Sequence, residues 1–308
     1  MQNIMKPHKL ASYLGIFLFY IILLYSQALA FTPLKKDKFI YFQDEFYTIK
    51  DNDTLTDLAV KFKVGYEALL LANPGVDPWV PTPGTKIIIP KRILIPSDFI
   101  LNKKTYILIN LPEMRLYYFD RGNFMTFPIG IGDEGKLTPL GTYYIARKKE
   151  KPFWFPPPSI RAEDPDLPEV VPPGPDNPMG EYALYLDRGL YTIHGTNKPY
   201  SIGRRTTHGC FRLYPEEIKF LYYKVSLKTP VYVIYEPYKV ALEGNILYLQ
   251  AFPDIEKRIK NPFPYIIKKI EKLIPEGFTY RIDLLTVDKI LENPDGLVHK
   301  IGILKRLE

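Results

Sequence analysis

The chain contains one cysteine, Cys210, and two of its four histidines, His194 and His208, lie within sixteen residues of it. The local sequences are Tyr191-Thr192-Ile193-His194-Gly195-Thr196 and Thr206-Thr207-His208-Gly209-Cys210-Phe211-Arg212-Leu213. A thiol is a strong nucleophile as its thiolate, and a neighbouring imidazole can take its proton and stabilise the resulting ion pair. Gly209 lets a substrate approach the backbone beside the sulfur. The amides of His208, Gly209 and Cys210 are candidate donors to a tetrahedral oxyanion. These are the parts needed for acyl transfer through a cysteine. Three other readings of the same residues stand beside it. A free cysteine is often a small buried apolar side chain, although here it sits between His208-Gly209 and Arg212. His194, His208 and Cys210 could hold zinc, yet His-x-Cys is not a common ligand spacing and no fourth ligand stands nearby. His208 could serve only to hydrogen-bond its loop.

These residues need elements to position them. His194 ends a predicted strand, Leu190 to Ile193, so its ring can project from a strand edge into a cleft. Short β-branched or aromatic runs at 105–110, 115–119, 124–127, 142–146, 182–186 and 230–235 predict further strands, with a hairpin turn at Asp120-Arg121-Gly122-Asn123. One helix is expected from Pro215 to Tyr223, with proline in its first turn. The result is a mostly β domain. Ten prolines interrupt it between Lys151 and Pro178, and such an excursion is either a lid over a site or a rigid flap packed on the sheet.

Upstream, Phe46 to Ile49 predicts a strand, and Asp53 or Thr54 caps a helix with Leu55, Leu58, Ala59 and Phe62 on its apolar face. A second helix carries Ala68, Leu69 and Ala72 and stops at Asn73-Pro74-Gly75, before a strand at Thr85 to Pro90. This βααβ unit resembles a LysM domain, on Tyr47-Thr48-Ile49, Asp53-Thr54-Leu55, Leu58-Ala59, Leu71-Ala72-Asn73-Pro74 and Gly84-Thr85-Lys86-Ile87-Ile88-Ile89-Pro90. The resemblance implies binding of N-acetylglucosamine-containing glycans, peptidoglycan above all. Beyond Tyr238, a hairpin arm at Gly244 to Leu249 and a basic amphipathic helix at Tyr265 to Leu273 predict a packed α+β accessory subdomain rather than a membrane-surface helix.

The His194-Gly195-Thr196 and Thr207-His208-Gly209-Cys210-Phe211-Arg212-Leu213 motifs resemble the signature of the L,D-transpeptidase catalytic domain, the YkuD domain. The likeness extends to Thr138-Pro139-Leu140-Gly141-Thr142-Tyr143, Pro157-Pro158-Ser159-Ile160-Arg161, Pro172 to Gly180 and Asn197 to Arg205. It implies a mainly β, YkuD-type β-sandwich with a short helix, joined to the small βααβ module and a mixed α+β C-terminal extension. It implies Cys210 as nucleophile and His194 as general base, with the Gly195 carbonyl orienting the imidazole. His208 and Gly209 would line the oxyanion side, supported by Thr207, and Arg212 would steady the loop or meet a substrate carboxylate. Many relatives have asparagine where this chain has Arg212. The implied reaction is peptidoglycan L,D-transpeptidation: a cysteine acyl-enzyme forms on a tetrapeptide stem with release of D-alanine, and an amine then resolves it. The amine would come from a second stem peptide, a lipoprotein or a free D-amino acid. No metal or organic cofactor is needed. The alternatives are an L,D-carboxypeptidase, in which water resolves the thioester, and a non-catalytic wall-binding protein.

Composition sets the frame. The 308 residues suffice for about two domains, and with 46% apolar and 24% charged residues a packed core is expected. A net charge of +7 suits an anionic polymer. Lys6, His8 and Lys9, then an uncharged run from Leu10 to Tyr25, then Ala28-Leu29-Ala30 form the pattern of a secretory signal peptide. Export to the periplasm is expected, with membrane anchoring if the signal is retained. Nucleic acid is excluded as a partner, since an exported chain with no reading motif has no use for one. The expected organisation is a signal peptide at 1–30, a LysM module at 45–91, a catalytic domain at 103–236 and an accessory subdomain at 237–308.

Overall fold

The structure, a computed structural model, describes residues 30–100 and 104–307. The expected signal peptide therefore lies, except for Ala30, outside the described residues. Among the described residues no helix is long and apolar enough to cross a membrane.

The chain opens with strands β1 (Thr32–Pro33), β2 (Ile40–Tyr41) and β3 (Glu45–Thr48), helices α1 (Leu55–Phe62) and α2 (Tyr66–Leu71), and strands β4 (Lys86–Ile89) and β5 (Ile93–Leu94). The Thr54 hydroxyl caps α1 by accepting from the Asp57 amide at 3.0 Å, which uses one of the amides a helix start leaves unpaired. Lys63, at φ 54°, turns the chain out of α1. Leu55, Leu58 and Ala59 face Val64, Tyr66, Leu69, Ile87 and Ile89 in one small core. Strands β3 and β4 pair antiparallel. The buried Asn73 ties the end of α2 to β4, donating to the Leu69 and Ile88 carbonyls and accepting from the Ile88 amide.

The central part is one mixed sheet. After β6 (Tyr106–Asn110), β7 (Arg115–Asp120), β8 (Asn123–Pro128) and the short β9 (Ile131–Gly132) come β10 (Gly141–Glu150), helix α3 (Pro158–Glu163) and β11 (Tyr182–Leu186). They are followed by β12 (Thr192–His194), β13 (Arg205–Thr207), β14 (Phe211–Arg212), helix α4 (Pro215–Lys224) and β15 (Pro230–Ile234). Nine strands run in the order β1-β8-β7-β6-β15-β10-β11-β12-β14. The sheet curls on itself. Gly130, just past β8, bridges Arg212 of the far-edge strand β14 through paired amide–carbonyl bonds of 2.9 and 3.0 Å. Alternation along β6 and β7 serves both faces: Ile107, Ile109, Leu116 and Tyr118 enter the core shared with α4, while Tyr106, Leu108, Tyr117 and Phe119 pack against Tyr41, Ile93 and Ile95.

The last part contains β16 (Tyr238–Glu243), β17 (Ile246–Ala251), α5 (Pro262–Glu271), β18 (Phe278–Ile282), α6 (Leu284–Glu292) and β19 (Val298–Arg306). The four strands form a sheet in the order β16-β17-β19-β18, with Ile266, Ile270, Val287 and Ile290 of the two helices packed against it. The apolar stripe of α5 is thus covered by protein. The buried Gln250 accepts from the Leu94 amide and donates to the Arg92 and Gly296 carbonyls, joining this sheet to β5.

One buried polar cluster crosses the same junction. Lys239 Nζ lies 2.6 Å from Glu113 Oε1, the Tyr117 hydroxyl donates to the same oxygen at 2.6 Å, and both charged side chains are sealed from water. A buried carboxylate that loses its nearest cation cannot recover its hydration, so Lys239→Ala, which leaves Glu113 only Arg115 at 3.3 Å, is expected to destabilise folding by about 3 kcal/mol. Urea denaturation measures it, and the double variant Lys239→Met/Glu113→Gln should recover part of the loss, since no buried carboxylate remains, although Arg115 Nε, 3.3 Å from Glu113 Oε1, gives up its ion-pair partner.

Candidate active site

A cleft of about 330 Å³ opens on the β12–β14 edge of the sheet. Its walls include His194, Thr207, His208, Cys210 and Arg212, with Tyr191 and Leu190 from the approach to β12. Trp154, Pro157, Ser159, Ile160 and Pro178 from the proline-rich excursion, and Met179 just past its end, complete it. The parallel pairing of β12 with β14 places His194 opposite Arg212, two residues beyond Cys210. The excursion combines both readings made of it. It is pinned at its base by a Trp154–Val171 bridge and by the buried Asn177, whose amide donates to the Pro152, Val171 and Pro172 carbonyls. It also forms one wall of the cleft.

The loop carrying the thiol is tightly determined. Gly209 has φ 106°, and a β-carbon there would come within 2.9 Å of the Tyr191 ring, so only glycine fits. The Thr207 hydroxyl accepts from the Gly209 amide at 3.1 Å and donates to the Cys210 carbonyl at 2.7 Å. The Thr138 hydroxyl donates to the Gly209 carbonyl. One expectation needs correcting here. The Gly209 amide is not free to stabilise an oxyanion, because Thr207 occupies it. The amides of His208 and Cys210 make no hydrogen bond among the described residues.

His194 is buried, and its Nδ1 lies 2.6 Å from the Gly195 carbonyl oxygen. With the proton donated there, Nε2 keeps its lone pair. Burial, and then the Arg212 guanidinium, push the imidazole down to about 4, outweighing the Gly195 and Met179 carbonyls that favour the charged ring. Burial pushes the Cys210 thiol up, against the Thr192 backbone and the Arg212 charge that lower it. Both shifts favour the uncharged forms, a neutral thiol and a neutral imidazole, on the walls of one cleft. Cys210 Sγ meets the Leu190 carbonyl at 3.7 Å.

His208 is engaged at the rim, its Nε2 2.9 Å from Lys136 Nζ and 3.2 Å from Glu163 Oε1. Lys136 and Glu163 are themselves joined at 2.6 Å, and the hydrogen bonds from Lys136 and His208 hold the Glu163 carboxyl below its usual range. The cluster links the cysteine loop to α3 of the excursion. Arg212 has its Nε buried without a partner, and burial lowers its own pKa. Sequence reasoning missed Tyr191, Thr138, Lys136 and Glu163. Thr138 and Tyr191 had a visible signal, in the Thr-Pro-Leu-Gly run and in the stretch that leads to His194. Among the described residues no group of three or more histidine, cysteine or carboxylate side chains is arranged to hold a metal ion.

The sheet and the cysteine–histidine cleft define a cysteine acyl-transfer domain. The YkuD family, the L,D-transpeptidase catalytic domain, matches residues 104–233, and the LysM domain matches residues 47–90. The chain is 44% identical over 212 residues to the Escherichia coli K12 protein named "Probable L,D-transpeptidase YbiS", covering 66% of this chain and 68% of that one. It is 42% identical over 214 residues to "Probable L,D-transpeptidase YcfS" of the same organism, covering 66% of each. The NMR structure of the catalytic domain from the Enterococcus faecium L,D-transpeptidase is 25% identical, with a TM-score of 0.34, covering 43% of this chain and 98% of that one. The chain belongs to the YkuD family of L,D-transpeptidases and is an enzyme of that type.

The low His194 value makes a two-part prediction. The rate of Cys210 acylation should stay flat on acidification to about pH 5 and fall only near pH 4, where an ordinary histidine would lose activity near pH 6.5. For stability, the unfolded chain binds this proton near pH 6.5 and the folded chain only near 4, so acidification through that window favours unfolding. This group should cost about 3 kcal/mol between those limits, at 1.36 kcal/mol per unit. Urea titrations of wild type and His194→Gln at pH 7 and 4.5 measure the difference.

Proposed function

We propose that this protein is a periplasmic peptidoglycan L,D-transpeptidase in which Cys210 is the nucleophile and His194 the general base. The observation that carries the reading is the cleft that brings Cys210 and a neutral, carbonyl-oriented His194 together under the proline-rich wall. Cys210 Sγ attacks the carbonyl between the L-centre of the third stem residue and the terminal D-alanine. Its proton passes to His194 Nε2, and the oxyanion meets the amides of His208 and Cys210. The C–N bond breaks, and the imidazolium proton goes to the departing D-alanine amine. An acceptor amine then attacks the thioester, loses its proton to His194, and releases the thiol with a new amide. The acceptor is a second stem peptide or a lipoprotein lysine. The cleft's apolar wall, with Trp154, Ile160 and Met179, disfavours water as the competing nucleophile. The LysM module binds the glycan, and the signal pattern at 1–30 directs export.

The test uses protein lacking residues 1–30 with a purified disaccharide-tetrapeptide, alone and with an amine acceptor, and reads products by mass. Loss of one alanine with formation of a cross-link or adduct supports the reading. Alanine release without an adduct moves the assignment to a carboxypeptidase, and no alanine release overturns both.

A further inference from the structure

The chain on both sides of Cys210 is held by the LysM unit. Upstream, the α2 amides of Tyr66 and Glu67 donate to the Ile202 and Gly203 carbonyls at 3.2 and 3.0 Å. Gly203, at φ 74°, sits so close that a β-carbon on it would lie 2.3 Å from Gly65 Cα and from the Tyr66 nitrogen. The Arg204 guanidinium stacks 3.3 Å from the centre of the Tyr66 ring, and its Nη2 donates to the Thr56 hydroxyl at 3.2 Å. Downstream, the buried Tyr214 hydroxyl reaches the Ala59 and Val64 carbonyls at the end of α1, at 3.2 and 3.1 Å. Lys63 pairs with Glu216 at 2.5 Å.

These contacts bear on the catalytic loop itself. Strand β13 starts one residue after Arg204, pairs with β9, and delivers Thr207, whose hydroxyl fixes Gly209 and Cys210. Tyr214 follows Cys210 by four residues and precedes α4. The loop is short and its oxyanion donors are backbone amides, so a displacement of its ends shifts the donors directly.

We propose that the LysM unit, through Tyr66 on one flank and the α1 terminus on the other, is a positioning element of the cysteine loop. On this view it raises the rate of acylation even for substrates that carry no glycan. The proposal rests on the reading of Cys210 as nucleophile. A module serving only as a wall tether would leave the chemistry of a free stem peptide untouched.

The test compares wild type, Gly203→Ala and Arg204→Ala, each as the chain lacking residues 1–30. Neither residue lines the cleft. Acylation of Cys210 by a free tetrapeptide is followed by mass, and alkylation by iodoacetamide is followed in parallel. Alkylation needs only a reachable thiol, whereas acylation needs the backbone donors in register. Acylation should fall about tenfold or more in Gly203→Ala, and less in Arg204→Ala, since an ångström of misplacement is enough for such losses. Alkylation should stay within about twofold, because the thiol stays equally reachable in a folded loop. Unchanged acylation in both variants overturns the proposal, as does a matching change in alkylation, which would report general loosening. If wild type forms no acyl-enzyme, or Cys210→Ala forms one, the catalytic reading fails first.

Discussion

Cys210→Ala is expected to lower alanine release from a tetrapeptide stem by at least about 10⁴-fold, because removing the nucleophile leaves only binding and the amide donors. The chain has no second cysteine to take over. Cys210→Ser is the stricter comparison. It preserves the shape of the loop and the bonds of Thr207 to Gly209 and Cys210. A buried hydroxyl is far harder to ionise than a thiol, however, and a neutral imidazole at about 4 is a weak base for it. The serine variant should therefore stay within about tenfold of the alanine variant, both far below wild type. Product mass with a discontinuous assay measures all three, and a serine variant near wild type would show that the sulfur is not the attacking atom.

The second large effect is that of His194→Gln, expected to lower acylation by about 10²- to 10⁴-fold, the range for a general acid–base group. The reasoning turns on two opposed shifts. Burial pushes the Cys210 thiol up, so little thiolate exists at neutral pH without a base. Burial and Arg212 hold His194 neutral, so wild type has that base available across the physiological range. Losing it leaves ionisation to solvent. The variant's rate should therefore rise with pH up to the ionisation of Cys210, while wild type is flat between about pH 5 and 8. A parallel profile in the two proteins would remove His194 from the proton path. A merely structural role would lower the rate without changing the shape of the profile.

How much of this was legible in the chain depends on the range of the physics. The Thr207-His208-Gly209-Cys210 loop is contiguous, and its constraints are local: a glycine where φ is 106°, and a hydroxyl two and three residues from the groups it bonds. Helix α1 was legible for the same reason, with a Thr54 cap and an apolar face repeating every three to four residues. The hairpin between β7 and β8 was marked by Arg121-Gly122, both at positive φ. The C-terminal sheet was less visible. Strand β19 mixes lysines and a glycine into its alternation and carries no strong period.

What the sequence by itself determined is the chemistry: one thiol, one imidazole at a strand end, and the turn that presents them. Tertiary structure alone decided how that chemistry is tuned. It brought Lys136 and Glu163 to His208 from 72 and 45 residues away, and the α1 terminus to Tyr214 across 155. It also gave the Gly209 amide to Thr207 rather than to an oxyanion. Such contacts follow from which faces pack together once the sheet has curled, and no local spacing encodes them. Burial, a property of the whole fold, is likewise what drives the His194 and Cys210 values apart.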